Sequence, residues 1–169
     1  MSLSYRAGTP DDAAAIDRVF RASFCQTFAH LYRPEDLAAF LGQFTLDAWG
    51  AELSDPAFAF LVAEADGGIV GYAKLGPLKL DIEPSGTARL LSQLYVLPSH
   101  AGAGIGGALL DRAVEQSRHA GIAELYLTVF VDNRRARRFY ARYGFEAVGR
   151  YDFMVGSQAD EDIIMRKVL

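Results

Sequence analysis

Apolar residues recur every three or four positions in several stretches of the chain, and this spacing predicts amphipathic helices. The first helix is expected to begin at residues 9–12, Thr-Pro-Asp-Asp, which suit a helix N-terminus, and to run to about residue 28. Its apolar positions are Ala13, Ile16, Phe20, Phe24 and Thr27. Shorter helices are predicted from Pro34 and after Thr45. Trp49, in the third of these helices, and Cys25, in the first, are interpreted as core residues.

Runs rich in β-branched residues predict strands in the rest of the chain. A short strand is expected at residues 3–7, and a hairpin at 58–76 around the turn signal Asp66-Gly67-Gly68. Strands at 89–97 and 122–131 flank a helix that ends at Gly121. A short helix at 133–144 precedes two closing strands, 146–151 and 162–169. The order predicts an α/β fold with one strand–helix–strand crossover in its middle.

Length, composition and charge narrow the class of protein. A chain of 169 residues is expected to form one domain, spanning 1–169. A net charge of −4 argues against a nucleic-acid binder. The chain has no apolar run of about 18 residues and no signal-peptide pattern, so no membrane association is expected. The single cysteine, Cys25, fits a reducing compartment and predicts a cytoplasmic location.

The stretch PSHAGAGIGGALL, residues 98–110, carries the most informative chemistry. Glycines at the start of a helix expose backbone amides, which together with the helix dipole favour an anion. The pattern G-x-G-x-x-G also fits a Rossmann dinucleotide site, but Pro98 to Ala101 separate the glycines from the preceding strand, and only one crossover follows. No Lys-Ser or Lys-Thr follows, which excludes a P-loop. A tight turn with nothing bound is the alternative.

Two segments of the chain together resemble a known family, and this resemblance indicates which anion the glycines would bind. LYVLPSHAGAGIGGALL, residues 94–110, resembles the pyrophosphate-binding motif of the GCN5-related N-acetyltransferases, the GNAT superfamily. NRRARRFYARYGF, residues 133–145, is similar to that superfamily's N-x-x-A-x-x-F-Y-x-x-x-G-F segment, at the expected distance. The resemblance covers essentially the whole chain. It implies a mixed, mostly antiparallel central sheet of about six to seven strands flanked by helices, and acetyl-CoA as cosubstrate.

The resemblance also implies roles for individual residues. Backbone amides near Leu94, Tyr95 and Val96 would hold the thioester carbonyl, and Tyr140 would donate a proton to the leaving thiolate. Asn133 would bond the pantetheine arm, although a plain helix cap explains it equally well. Tyr140 taken alone could merely pack. The amides that would bind the pyrophosphate belong to Ala101, Gly102, Ala103, Gly104, Ile105, Gly106 and Gly107.

Two positions depart from the family pattern. Ala101 stands where Gln or Arg is usual, and Ser92 stands where many members carry a glutamate that often serves as general base. The general base is therefore unassigned. No His, Cys, Asp or Glu spacing suggests a metal, and no pattern suggests a covalent nucleophile, so direct transfer is expected. One or two of the five arginines between residues 134 and 142 could meet a ligand phosphate, although most are expected to be solvated.

A closer resemblance concerns the acceptor. SFCQTFAHLY, residues 23–32, and YDFMVGSQADEDIIMRKVL, residues 151–169, look like bacterial polyamine N-acetyltransferases, which act on spermidine and spermine. A polycation favours an acidic pocket, although ordinary surface charge would explain the same acids. His30 and His100 are candidates to take a proton near neutral pH, although each could be incidental. The candidate acids are Glu35, Asp36, Asp81, Glu83, Asp152, Asp160, Glu161 and Asp162. Another amine acceptor, or an acyl-CoA-binding sensor with little turnover, stays open. Family analogy also suggests a homodimer.

Overall fold

A computed structural model describes residues 2–169 and contains one seven-stranded sheet with helices on both faces. The strands are β1 Leu3–Ala7, β2 Ala59–Ala65, β3 Gly68–Gly76, β4 Ala88–Val96, β5 Glu124–Phe130, β6 Glu146–Val155 and β7 Gln158–Val168. Their spatial order is β1-β2-β3-β4-β5-β7-β6, and only β4 and β5 are parallel neighbours. The predicted α/β fold with a mixed, mostly antiparallel sheet is confirmed.

Five α-helices cover the sheet, and each face has its own hydrophobic core. The helices are α1 Ala13–Phe28, α2 Pro34–Leu41, α3 Leu46–Ser54, α4 Ile105–His119 and α5 Arg134–Arg142. On one face the aliphatic side of α4 packs on the middle strands, and on the other face α1, α2 and α3 build an aromatic core. Strand β3 lies between these two cores and is buried along nearly its whole length. No helix within residues 2–169 is long and apolar enough to cross a membrane.

The two residues assigned to the core differ in their surroundings. Trp49 is 1% exposed, and its indole Nε1 donates to Asp17 Oδ1 over 2.9 Å, as expected for a buried indole. Cys25 is only half-buried, so it lies at the edge of the core and not inside it as predicted. Its helix α1 turns Phe20 and Phe24 to the sheet, and Cys25 lies at the border of that apolar face.

Strands β4 and β5 separate after a short parallel segment, which opens the sheet. They pair only between residues 88–90 and 124–126. Beyond that point β4 stays paired with β3, but with a bulge: Leu75 faces Leu91, Lys74 faces Gln93, and Ser92 between them has no partner on β3. A bulge bends a strand and increases its twist. The bulge at Ser92 therefore lies where β4 leaves β5 and a cleft begins.

The last two strands are longer than the sequence predicts. Residues 152–155 extend β6 and residues 158–161 extend β7, so the two strands form one tight hairpin. The turn contains Gly156 at φ +58°, and the carboxylate of Asp36 accepts bonds from the Ser157 amide and hydroxyl, both at 2.8 Å. Acidic residues are rare in strands, which favoured the shorter prediction. A contact from α2 thus stabilises the turn of a hairpin far along the chain.

Candidate active site

A cavity of about 580 Å³ lies in the cleft between β4 and β5. Strands β4 and β5 supply two of its walls, and α1, α5 and the β6–β7 hairpin supply the others. Much of the lining is aromatic, and polar side chains from β4, β5, α5 and the β6–β7 hairpin lie among the rings. The phenylalanines that line it are Phe20, Phe24, Phe28, Phe40, Phe44, Phe130 and Phe153.

Two buried carboxylates on β7 face this cavity. Asp160 and Asp162 are 8% and 6% exposed, and they lie on one face of the strand because they are two residues apart. Asp160 is engaged through both oxygens: Oδ2 accepts from the Tyr32 hydroxyl and Oδ1 accepts from Gln158 Nε2 at 3.1 Å. Among residues 2–169, no lysine or arginine forms an ion pair with either carboxylate. The cavity thus holds acidic groups without a countercharge.

The environment of Asp162 favours its neutral form. Burial raises the pKa of Asp162 to about 7, a hydrogen bond from Thr128 opposes this, and the nearby charge of Asp160 adds to the rise. Lys74 also lines the cavity, but its Nζ is bound to Glu52 Oε1 over 2.8 Å. Lys74 is thus already paired with Glu52. A cationic ligand that enters the cavity would meet Asp160 and Asp162, which have no such partner in the described part of the chain.

Tyrosine side chains complete the polar part of the cavity. Burial raises the pKa of Tyr140, on α5, and of Tyr95, on β4. The neighbouring ionisable groups Tyr140 and Asp162 raise the pKa of Tyr95 further, which places these three groups near one another. The Tyr140 ring is held edge-on by Phe139 and Phe145, at centroid distances of 5.3 and 5.8 Å. Both hydroxyls are therefore protonated and able to donate at neutral pH.

The glycine-rich segment at the start of α4 carries a run of backbone amides that bond to no acceptor in the described residues. Within residues 2–169, no acceptor is found for the six consecutive amides of residues 102–107. Gly102 and Gly104 have φ values of +81° and +80°, which only glycine adopts readily. Gly107 favours glycine for a different reason: a Cβ at this position would overlap the hydroxyl of Tyr143. The loop fits an anion such as a pyrophosphate at the positive end of a long helix.

The remaining predicted cofactor residues lie around the same cleft. Leu94, Tyr95 and Val96 line the cavity on the part of β4 that no longer pairs with β5. The Val96 carbonyl accepts from Ser23 Oγ at 3.0 Å, which ties this end of β4 to α1. Asn133 caps α5, because its Oδ1 accepts from the Ala136 amide at 3.2 Å. Its side chain also lines the cavity.

Several other candidate residues lie away from the cavity. Asp81 and Glu83 are exposed in the loop before β4, and Asp152 and Glu161 are exposed on the hairpin. His30 and His100 do not line the cavity either. The expected acidic pocket therefore consists of two of the eight predicted acids. Of the arginines, Arg135, Arg138 and Arg142 border an open groove beside Asn133, and Arg135 also reaches the main cavity.

Sequence reasoning missed the roles of Tyr32 and Thr128. Tyr32 follows α1 and reaches β7 across 128 positions of sequence to bind Asp160. Thr128 lies on β5 one strand away from Asp162. Neither belongs to a local motif, and only the packing of distant elements brings them to the cavity. Among residues 2–169, no three His, Cys, Asp or Glu side chains are grouped in a way that could hold a metal ion.

Comparisons with known proteins agree with this geometry. Residues 18–145 match the acetyltransferase (GNAT) family. An uncharacterised N-acetyltransferase of Mycobacterium tuberculosis is 37% identical over 139 residues, which are 80% of this chain and 84% of that protein. One of Lactobacillus delbrueckii is 29% identical over 155 residues, covering 89% and 88% of the two chains. The crystal structure of the PaiA N-acetyltransferase of Thermoplasma acidophilum in complex with coenzyme A superposes with a TM-score of 0.81, at 25% identity and full coverage of both chains.

The fold, the cleft between β4 and β5 and the family match define one class of protein: the chain belongs to the acetyltransferase (GNAT) family. It is an acetyl-CoA-dependent N-acetyltransferase.

Proposed function

We propose that the protein transfers an acetyl group from acetyl-CoA to a primary amine of a small polycation such as spermidine or spermine. The observation that carries the proposal is the pair Asp160 and Asp162, which are buried in the cavity without an ion-pair partner. Buried carboxylates without a countercharge are costly, and an ammonium ligand relieves that cost. The aromatic walls add favourable faces for a cation and for methylene groups.

The amides of the chain account for binding of the cosubstrate. The free amides of residues 102–107 would bind the pyrophosphate, which includes those of Gly104 and Gly106. The Ala101 amide differs from these, because it already donates to the Pro98 carbonyl at 3.3 Å. Leu94, Tyr95 and Val96 would present the unpaired edge of β4 to the pantetheine arm and the thioester carbonyl. In this arrangement Asn133 fixes the start of α5 and hence the position of Tyr140. Acetyl-CoA supplies the activated acyl group.

Tyr140 would act on the leaving sulfur. Because burial raises its pKa, the Tyr140 hydroxyl is protonated across the neutral range. A thiol has a pKa of about 8.5, so full proton transfer from a phenol of higher pKa is uphill. The side chain is therefore best suited to donate a hydrogen bond that stabilises the developing thiolate. The proton that finally neutralises the sulfur can come from the attacking amine.

The two alternative functions are acetylation of a different amine and binding of acyl-CoA without turnover. Acetylation of another amine, such as an amino acid, an antibiotic or a protein N-terminus, uses the same cofactor groups. The aromatic walls and the two carboxylates favour a slender cationic ligand over a bulky one. A sensor that binds acyl-CoA without turnover would not need the carboxylates or Tyr140 in the cavity.

Thiol release from acetyl-CoA tests the proposal, measured with spermidine, spermine and a panel of amino acids, aminoglycosides and peptide N-termini. We expect the polyamines to give the highest kcat/KM. A higher kcat/KM for a monocation or a peptide would contradict the polyamine acceptor and keep the family activity. If acetyl-CoA binds by calorimetry but no amine gives release, the sensor function replaces the enzyme.

Location and assembly are proposed from separate features. The single cysteine, Cys25, supports a reducing location such as the cytoplasm. The edge strand β6 exposes Val148, Tyr151 and Met154, which supports pairing of two copies of the chain.

A further inference from the structure

Attack by an amine requires a proton acceptor, because an ammonium nitrogen has no free electron pair. Strand β4 supplies no carboxylate to the cavity: its lining residues from 91 to 96 are Leu, Ser, Gln, Leu, Tyr and Val. Tyr95 is the one titratable group among them, and its raised pKa keeps it protonated. A base must therefore come from another element of the cavity. We propose that Asp162 on β7 is the catalytic base that takes the proton from the acceptor amine; this rests on the proposed function.

Asp162 and its neighbour Asp160 differ in what their oxygens already bind. Asp160 accepts from Tyr32 and Gln158, one bond to each oxygen, so its charge is held in place and contributes attraction for a cation. Asp162 accepts a hydrogen bond from Thr128 alone among residues 2–169, and its side chain lines the cavity. It lies opposite Phe130 on β5, the strand that bounds the cleft. The geometry thus assigns different roles to two carboxylates on one face of one strand.

The surroundings of Asp162 also suit proton transfer near neutral pH. Asp160 on the same strand, Tyr32 from the segment after α1, Tyr95 from β4 and Tyr140 from α5 are the ionisable groups near it. The other charged side chains of the lining are Lys74 and Arg135. With a pKa of about 7, Asp162 accepts a proton from an amine about a thousandfold more favourably than an ordinary carboxylate would.

The proton balance of the reaction is complete with this assignment. The ammonium group gives one proton to an Asp162 oxygen, and its freed electron pair forms the C–N bond to the thioester carbonyl carbon. The C–S bond breaks and its electron pair stays on sulfur. The nitrogen then loses a second proton, which neutralises the sulfur that Tyr140 has stabilised. Asp162 releases its proton to solvent before the next turnover.

The test compares Asp162→Asn with the matched control Asp160→Asn, since each replaces one carboxyl group of the same cavity by an amide. The pH dependence of kcat/KM with spermidine is measured from about pH 5.5 to 9. Wild-type kcat/KM should fall below about pH 7. In Asp162→Asn, kcat should fall by about 10²-fold or more, and the acidic limb of the profile, the decline of kcat/KM below about pH 7, should be lost. Asp160→Asn should raise KM, keep kcat within about tenfold and keep the acidic limb, displaced to lower pH because the charge of Asp160 is gone.

A second readout does not depend on turnover. The carboxylic acid band of Asp162 in infrared difference spectra should titrate near pH 7 in the free wild-type protein. It should titrate at a lower pH in Asp160→Asn, which lacks the neighbouring charge, and be missing in Asp162→Asn. Circular dichroism and coenzyme A binding show that each variant is folded. If the wild type acetylates amines and Asp162→Asn keeps kcat and the acidic limb, the base assignment is wrong while the proposed function stands. If the wild type acetylates no amine of the panel, the proposed function itself fails.

Discussion

Gly104→Ala tests whether the glycine loop is shaped for an anion. Gly104 has a φ of +80°, and a Cβ at this position would meet no atom within 4 Å. The cost of the methyl group is therefore conformational, about 1–2 kcal/mol for a residue held in the left-handed region. If the loop keeps its shape, that cost lowers Tm by roughly 2–8 °C for a chain of this size. If the loop relaxes to negative φ, coenzyme A must restore it, and Kd rises by about 5- to 30-fold.

Gly106→Ala is the matched control, because it adds one methyl group two residues away in the same loop. Gly106 has no positive φ, and a Cβ there would lie 3.9 Å from the nearest atom, on Val96. Alanine is the better helix former by up to about 1 kcal/mol. Gly106→Ala should keep Tm or raise it and change Kd by less than about twofold. Calorimetric titration with coenzyme A and thermal melts of both variants decide the matter. Equal affinity of the two variants, with equal Tm, would refute the reasoning.

Three further predictions concern the cavity and the hairpin. Tyr140→Phe should lower kcat by on the order of 10²-fold and leave coenzyme A affinity unchanged, because only the hydroxyl on the leaving group is lost; an unchanged kcat in steady-state assays would show that Tyr140 only packs. The folded-state pKa of Asp162, about 7, lies above its unfolded value, so the folded state binds more protons between about pH 4 and 7 and stability falls as pH rises through that window. Asp162→Asn should therefore raise Tm more at pH 8 than at pH 5, and equal shifts in melts at the two pH values would contradict this. Gly156→Ala should destabilise the protein by about 2–4 kcal/mol, because φ is +58° and a Cβ would lie 2.5 Å from the Asp36 Cα; urea unfolding that matches the wild type would show that the turn tolerates a side chain.

Local features of the sequence predicted most of the elements. The predicted hairpin around Asp66-Gly67-Gly68 forms, with Ala65 opposite Gly68. The helix after the glycines begins at Ile105 and ends at His119, before Gly121. These signals are local, because turn glycines and helical spacing act over a few residues. The hairpin β6–β7 was predicted too short, because an acidic segment has low strand propensity and its pairing depends on the rest of the sheet.

The sequence by itself predicted the chemistry that we propose for the cofactor side. A glycine loop at a helix start, followed by an Asn-to-Phe-Tyr segment, predicts an anion site and a nearby hydroxyl, because each depends on neighbours in the chain. Only the tertiary structure decided the acceptor side. Of eight candidate acids it brings two into the cavity, beside a tyrosine 128 positions away and opposite strand β5. Register and burial of distant strands determine which carboxylates lose their water, and no local pattern encodes that desolvation.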